Sequence, residues 1–131
     1  SIGIATKDLK SSLAFVQKNV EVLEVCEEIF AENQNANLQM IKTIDLNIEL
    51  VSGKVVEKLI ASKITYYHIC YEVEDIYGKI EEFQKNGGAM LVSSVKPAIL
   101  FDNRLVAFLM TPLGLVELLN ANWDNKQYKY G

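Results

Sequence analysis

The sequence predicts an α+β protein built from two β-α-β-β-β modules. Three observations predict it: the chain repeats itself at an offset of about 67 residues, a helical apolar stripe follows the first strand of each copy, and strand-like runs follow each stripe. Ser1-Ile-Gly-Ile-Ala-Thr-Lys-Asp8-Leu9 aligns with His68-Ile-Cys-Tyr-Glu-Val-Glu-Asp75-Ile76, and Leu13, Val16 and Asn19 recur as Ile80, Phe83 and Asn86. Asn47-Ile-Glu49-Leu50 recurs as Leu115-Val-Glu117-Leu118 at an offset of 68. Each copy must then be a supersecondary unit with the same buried face.

The elements follow in order. Residues 2–6 and 69–73 are apolar or β-branched runs, each followed by an aspartate, Asp8 or Asp75, suited to cap a helix. Leu9, Leu13 and Val16 in the first helix, and Ile76, Ile80 and Phe83 in the second, recur at i, i+4, i+7 and predict one buried face each. The first helix is expected to fade near Asn19, and the second to stop at Asn86-Gly87-Gly88 with glycine in the left-handed cap. Strands are predicted at 21–30, 37–43 and 46–52, then at 89–95, 104–110 and 114–120. Lys54 to Ser62 carries Val55, Val56, Leu59 and Ile60 on a helical stripe and reads as a connecting helix. Residues 1–122 are therefore expected to form a single domain of two modules, 1–53 and 67–122, joined by a helical linker at 54–66. Residues 123–131 are expected to be a polar tail that packs across the surface or frays. Pro97 and Pro112 fall at strand edges or turns.

Composition limits the function. Half of the 131 residues are hydrophobic, enough for the core of one compact domain. Seventeen acidic against thirteen basic residues give a net charge of -4 with no Lys/Arg block, which argues against nucleic acid as a partner. No apolar run is long enough to cross a bilayer and the start does not read as a signal peptide, so no membrane partner and a cytoplasmic location are expected. Cys26 and Cys70 lack C-x-x-C spacing and are expected as buried thiols rather than a disulfide or zinc knuckle.

Alternation along the strands picks out the chemistry. Ser1, Gly3 and Ala5 share one face, as do His68, Cys70 and Glu72, while Ile2, Ile4 and Thr6, and Ile69, Tyr71 and Val73, share the other and are expected to meet the helices. Glu49 lies between Ile48 and Leu50, and Glu117 between Val116 and Leu118; a carboxylate in such surroundings costs free energy unless its charge is compensated, as a divalent cation would do. If a pseudo-twofold relates the modules, Ser1, Glu49, His68 and Glu117 converge, and imidazole with carboxylates suits zinc, nickel, cobalt, iron or manganese. Taken singly, His68 reads as a hydrogen-bonded core residue and each glutamate as an edge-strand carboxylate or a partner of Lys42 or Arg104. Their equivalent places in the repeat favour one shared site. Cys70 fits as cavity lining rather than nucleophile, and Arg104, after Phe101-Asp-Asn, either grips a substrate anion or is a solvated turn charge.

These residues resemble the vicinal oxygen chelate superfamily, which includes glyoxalase I, methylmalonyl-CoA epimerase, extradiol dioxygenases and bleomycin-resistance proteins. The resemblance runs from Ser1 to Asn120, is carried best by Ile2–Leu9, Tyr67–Ile76 and Leu115–Leu118, and is greatest for the epimerase and glyoxalase branch. It implies that the modules pair their sheets into a curved, half-open barrel with helices outside, and that the protein is a homodimer acting on a small molecule. It also implies metal ligands at Glu49, His68 and Glu117, with Ser1 where the family has histidine, so that a cation is weakly held or absent. The implied activity is a metal-assisted isomerase, epimerase or lyase acting on a small carboxylic acid, thioester or hydroxycarbonyl compound through an enolate-type intermediate. Glu117 and Glu49 would then be catalytic, with Ser1, Cys70, Phe101 and Arg104 lining the pocket. The alternative is a metal-free dimer that sequesters a small molecule or drug, as in the bleomycin-resistance branch. The epimerases' second base has no firm counterpart, since Glu32 fits only with a one-residue shift. A single histidine argues against the extradiol branch.

Overall fold

Isoleucines at 2 and 4 alternate with Gly3 and Ala5, which makes β1 (Ile2–Ala5) a strand with one bulky and one small face. The computed structural model describes residues 1–121, which divide into two units, Ser1–Tyr67 and a second beginning at His68. In the first unit β1 leads to α1 (Leu9–Asn19), β2 (Val22–Val25), β3 (Ile29–Ala31), β4 (Ala36–Thr43) and β5 (Asn47–Gly53), followed by a 3₁₀ turn at Lys54–Val56 and α2 (Glu57–Ala61). The strand order is β2-β4-β5-β1, with β1 parallel to β5 and β3 added to β4. In the second unit β6 (Tyr66–Val73), α3 (Ile76–Asn86), β7 (Met90–Ala98), a 3₁₀ turn at Ile99–Phe101, β8 (Arg104–Thr111) and β9 (Gly114–Asn120) give the order β6-β9-β8-β7, with β6 parallel to β9. The α+β class and the β-α-β-β-β order are as the sequence predicts, with the first unit's second strand broken in two.

Both helices start where the aspartates stand. Asp8 accepts from the Lys10 amide at 3.1 Å and from the Ser11 hydroxyl at 2.6 Å, while Asp75 accepts from the Gly78 amide at 3.2 Å. The stripes then bury as the spacing requires. Leu9 and Val16 pack with Ile41 and Leu50, with Ile4, Leu13 and Ile48 around them. Ile76 and Ile80 pack with Ala107, Leu109, Val116 and Leu118, with Ile69, Val73 and Phe83 around them. Each fully buried aliphatic side chain of this size contributes on the order of 2 kcal/mol, so the stripes hold each helix to its own sheet.

The repeat extends to strand register. Gly3 pairs with Glu49 as Cys70 pairs with Glu117, and Met40 pairs with Glu49 as Phe108 pairs with Glu117. The β4–β5 and β8–β9 turns are closed alike: the Thr43 hydroxyl donates to the Leu46 carbonyl, and the Thr111 hydroxyl to the Gly114 carbonyl.

Several boundaries differ from the sequence expectation. The run at 21–30 is two strands, because pairing with β4 slips by one residue between Val25–Ile41 and Ile29–Leu38, after the Cys26 amide donates to the Met40 carbonyl. Cys26 is consequently half-buried rather than buried, whereas Cys70 is buried, and neither forms a disulfide. β6 begins at Tyr66 rather than 69, and β7 runs to Ala98 rather than 95, accommodating Pro97 opposite Leu105. Gly87 caps α3 at φ 84°, ψ 159°, a positive-φ extended conformation rather than the left-handed helical one. The tail expected at 123–131 lies outside the described residues. No helix among the described residues is long and apolar enough to cross a membrane.

Candidate functional site

Each sheet has one face against its helix and one turned from it, and alternation decides which side chains occupy the second. In the first unit Ile4, Ile48, Leu50 and Ile41 meet α1, so Gly3, Glu49 and Met40, one residue out of phase, lie on the opposite face. Glu49 is 4% exposed there. In the second unit Ile69, Val116, Leu118, Ala107 and Leu109 meet α3, which places Cys70, Glu117 and Phe108 side by side on the other face. His68 shares that face, two residues before Cys70 on β6.

There the second unit brings two of the expected residues together. His68 Nε2 lies 3.0 Å from Glu117 Oε1, with the residues 1% and 3% exposed. The Phe108 ring meets the imidazole edge to face, centroids 5.4 Å apart and planes at 79°, which fixes the ring's plane. Adjacent ligands of one divalent cation, with bonds of about 2.0 to 2.2 Å, sit about 3 Å apart. The His68 and Glu117 atoms already have that separation and both are donors such a cation accepts. His68 and Glu117 are thus a buried pair of metal-ligand type that fits a divalent metal, and Glu49, buried in the first unit, is a residue of the same type. Buried carboxylates without a compensating charge would be costly, which gives the same residues a reason to hold one.

The other expected residues fall as follows. Cys70 is buried opposite Glu117. Ser1 is half-buried just before β1, at the place His68 has in the second copy. Phe101 is buried at the end of its 3₁₀ turn. Arg104 is neither a solvated turn charge nor a partner of either buried glutamate: its Nη1 donates to Glu72 Oε1 at 3.2 Å, its Nε donates to the Phe101 carbonyl at 3.4 Å, and both ion-pair side chains are 13% exposed. Lys42, the other cation considered for the glutamates, lies 3.6 Å from Glu24.

Sequence reasoning missed three contributors. Phe108, which orients His68, could have been found as the repeat counterpart of buried Met40. Glu72 shares the alternation of His68 and Cys70, but its partner is 32 positions away and nothing local points to it. Asn120 closes α3 by accepting from the Ile76 amide at 2.9 Å, a contact that depends on where β9 ends.

The fold has close counterparts among solved structures. A methylmalonyl-CoA epimerase from Mycobacterium tuberculosis matches with a TM-score of 0.77 at 16% identity, over 94% of this chain and 87% of that one. A hypothetical protein from Bacillus halodurans C-125 matches at 0.72 and 22% identity, over 98% and 94%. A Streptomyces coelicolor methylmalonyl-CoA epimerase variant in complex with 2-nitronate-propionyl-CoA matches at 0.71 and 19% identity, over 93% and 92%. At these identities the likeness shows the fold. No curated protein sequence matches the chain. The family is shown by a sequence model that matches residues 1–108, well over half of the chain: this protein belongs to the Glyoxalase/Bleomycin resistance protein/Dioxygenase superfamily.

Proposed function

We propose that the protein is a metal-assisted isomerase, epimerase or lyase acting on a small carboxylic acid, thioester or hydroxycarbonyl compound, with Glu49, His68 and Glu117 holding a divalent cation of the zinc, nickel, cobalt, manganese or iron class. The observation that carries this reading is the buried His68–Glu117 pair on the face turned from the helix, with Glu49 buried at the equivalent place of the other copy. The epimerases with which the fold compares point the same way. A bound divalent cation supplies Lewis-acid stabilisation of the negative charge that develops on a substrate oxygen. His68, held edge-on by Phe108, contributes a neutral nitrogen donor. Glu117 or Glu49 would take a proton from the carbon beside the substrate carbonyl and, in an isomerase, return one; in an epimerase the other glutamate would supply the proton to the opposite face, so that an enolate is passed through without net redox change. Cys70, Phe101, Arg104 and Ser1 line the pocket in this reading. The two units work as one domain, and the protein acts as a cytoplasmic homodimer; exposed Met90, Leu91 and Val92 on β7, the last strand of the second unit's order, supply an apolar surface suited to association.

The test is elemental analysis of the mildly purified protein coupled to thermal shifts on titration with cobalt, nickel, manganese or zinc. A raised melting temperature that His68→Ala and Glu117→Ala each remove is expected. No metal and no shift with any of the four overturns the reading. One observation favours a second reading, a metal-free protein that sequesters a small molecule: Ser1 stands where the sequence repeat and the family resemblance expect histidine. Ligand affinity that survives Glu49→Ala with His68→Ala would establish it.

A further inference from the structure

Glu72 and Arg104 form an ion pair that the fold does not require. Their counterparts in the first unit, at the same offsets, are Ala5 and Ala36, both buried. The places that hold two opposite charges in one copy hold two alanines in the other. Strand alternation sets Glu72 on the face of His68 and Cys70, four residues beyond His68, or about 13 Å along β6. Arg104 opens β8, two strands away, so the pair reaches across β9.

The guanidinium is oriented before any ligand arrives. Its Nε donates to the Phe101 carbonyl at 3.4 Å and its central carbon lies 5.8 Å from the Phe101 ring centroid. The contact to Glu72 is a single one at 3.2 Å, longer than the roughly 2.7–2.9 Å of a strong charge-assisted bond. A guanidinium offers five N–H donors in a fixed fork, more than these two contacts use, and a carboxylate or phosphate can engage the fork through two oxygens at once.

We propose that Arg104 is the anion-recognition residue of this face, that Glu72 fills its place as a resting partner, and that the ligand is a small compound bearing a carboxylate or phosphate. This rests on the reading that the face turned from α3 is the ligand face. The incoming anion exchanges with Glu72, so Glu72 lowers affinity for every anion and leaves Arg104 compensated when the site is empty.

The experiment uses the full chain dialysed against a chelator, so that no cation recruits the anion, with sodium malonate and inorganic phosphate as probes followed by calorimetry. Saturable binding of one of them is expected, and the tighter probe assigns the carboxylate or phosphate class. Arg104→Gln should weaken it at least about tenfold and Glu72→Gln should tighten it severalfold. Arg104→Lys keeps the charge without the fork; it should weaken binding, and it serves where Arg104→Gln does not fold, as judged by its melting curve. No saturable binding of either probe, unchanged affinity in the arginine variants, or weaker binding in Glu72→Gln overturns the proposal. Cobalt titration of the same variants keeps the two readings apart. An Arg104-dependent anion site in a protein that takes up no cation retains this inference and removes the metal one, while cobalt binding without an anion site does the reverse.

Discussion

The two units share the register of their inner strands, yet they carry different side chains at the places where chemistry is expected. Glu49 answers Glu117 and Met40 answers Phe108, but Ser1 answers His68 and Ala5 with Ala36 answers Glu72 with Arg104. Backbone register was retained where it positions the sheet, and side chains diverged on the face turned from the helices. The second unit has become the chemically richer half, with the imidazole, the thiol and the ion pair, while the first keeps a buried carboxylate among small or apolar neighbours. The difference teaches that a repeat identifies positions more surely than it identifies residues.

The largest expected effects come from exchanging the unmatched corner. His68→Ser makes the second unit like the first and should weaken cobalt or zinc binding by about 100-fold or more, since an imidazole donor is lost to a hydroxyl that competes poorly with water. Ser1→His makes the first unit like the second and should strengthen binding about tenfold, read by competition against a chelator of known affinity. Equal affinities in the wild type and both variants would mean that these positions are equivalent in sequence but not in function.

A smaller effect is expected behind the sheets. At the end of α1 the chain continues through Val20 to Val22, both packed on the first unit's core, whereas after α3 the counterparts are Gly87 and Ala89. A cavity of about 260 Å³ opens there, lined by Phe83, Gly87, Gly88, Pro112 and Val116 among others. Where the first copy packs two valines, the second has a glycine, an alanine and a hollow. Val22→Ala should destabilise by about 1 kcal/mol and Ala89→Val should stabilise by about 0.5–1 kcal/mol in urea unfolding. Gly87 is not the residue to fill, because its φ of 84° strains any side chain. A destabilising Ala89→Val would show that the hollow is too shaped to accept a branched side chain.

Much of this was legible in the sequence because it depends on short-range patterns. Asp8 and Asp75 announce their helices, i, i+4, i+7 spacing announces the buried faces, and the offset of Glu49 and Glu117 announces their equivalence. The break at Cys26–Glu28 was not legible, since a register shift depends on what β4 offers across the ladder, and the 21–30 run shows no local interruption. The partner of Arg104 was not legible either. Residues 72 and 104 meet only because β9 brings β6 and β8 to either side of itself, and sequence separation carries no trace of that.

The smallest expected effect distinguishes the two caps, which otherwise look interchangeable. The Ser11 hydroxyl donates to Asp8, and its counterpart Gly78 has only an amide to offer Asp75. That hydroxyl bond is the foremost reason that the Asp8 carboxyl titrates below its ordinary value; desolvation opposes it, and the Lys10 and Ser11 amides and the Lys10 charge add to it in turn. A carboxyl whose folded pKa is depressed contributes stability that is present above its unfolded pKa, near 4, and is lost as pH falls through the lower folded value. Ser11→Ala should therefore bring the Asp8 titration, followed by carboxyl-carbon NMR, back up toward the ordinary aspartate value. It should lower the melting temperature slightly at pH 6, where the carboxyl is charged, and the difference should vanish as the pH falls through the folded titration of Asp8. A melting temperature lowered equally above and below the Asp8 titration would assign the effect to the helix propensity of residue 11 and not to the charge at Asp8, and the two caps would then be equivalent in fact as well as in register.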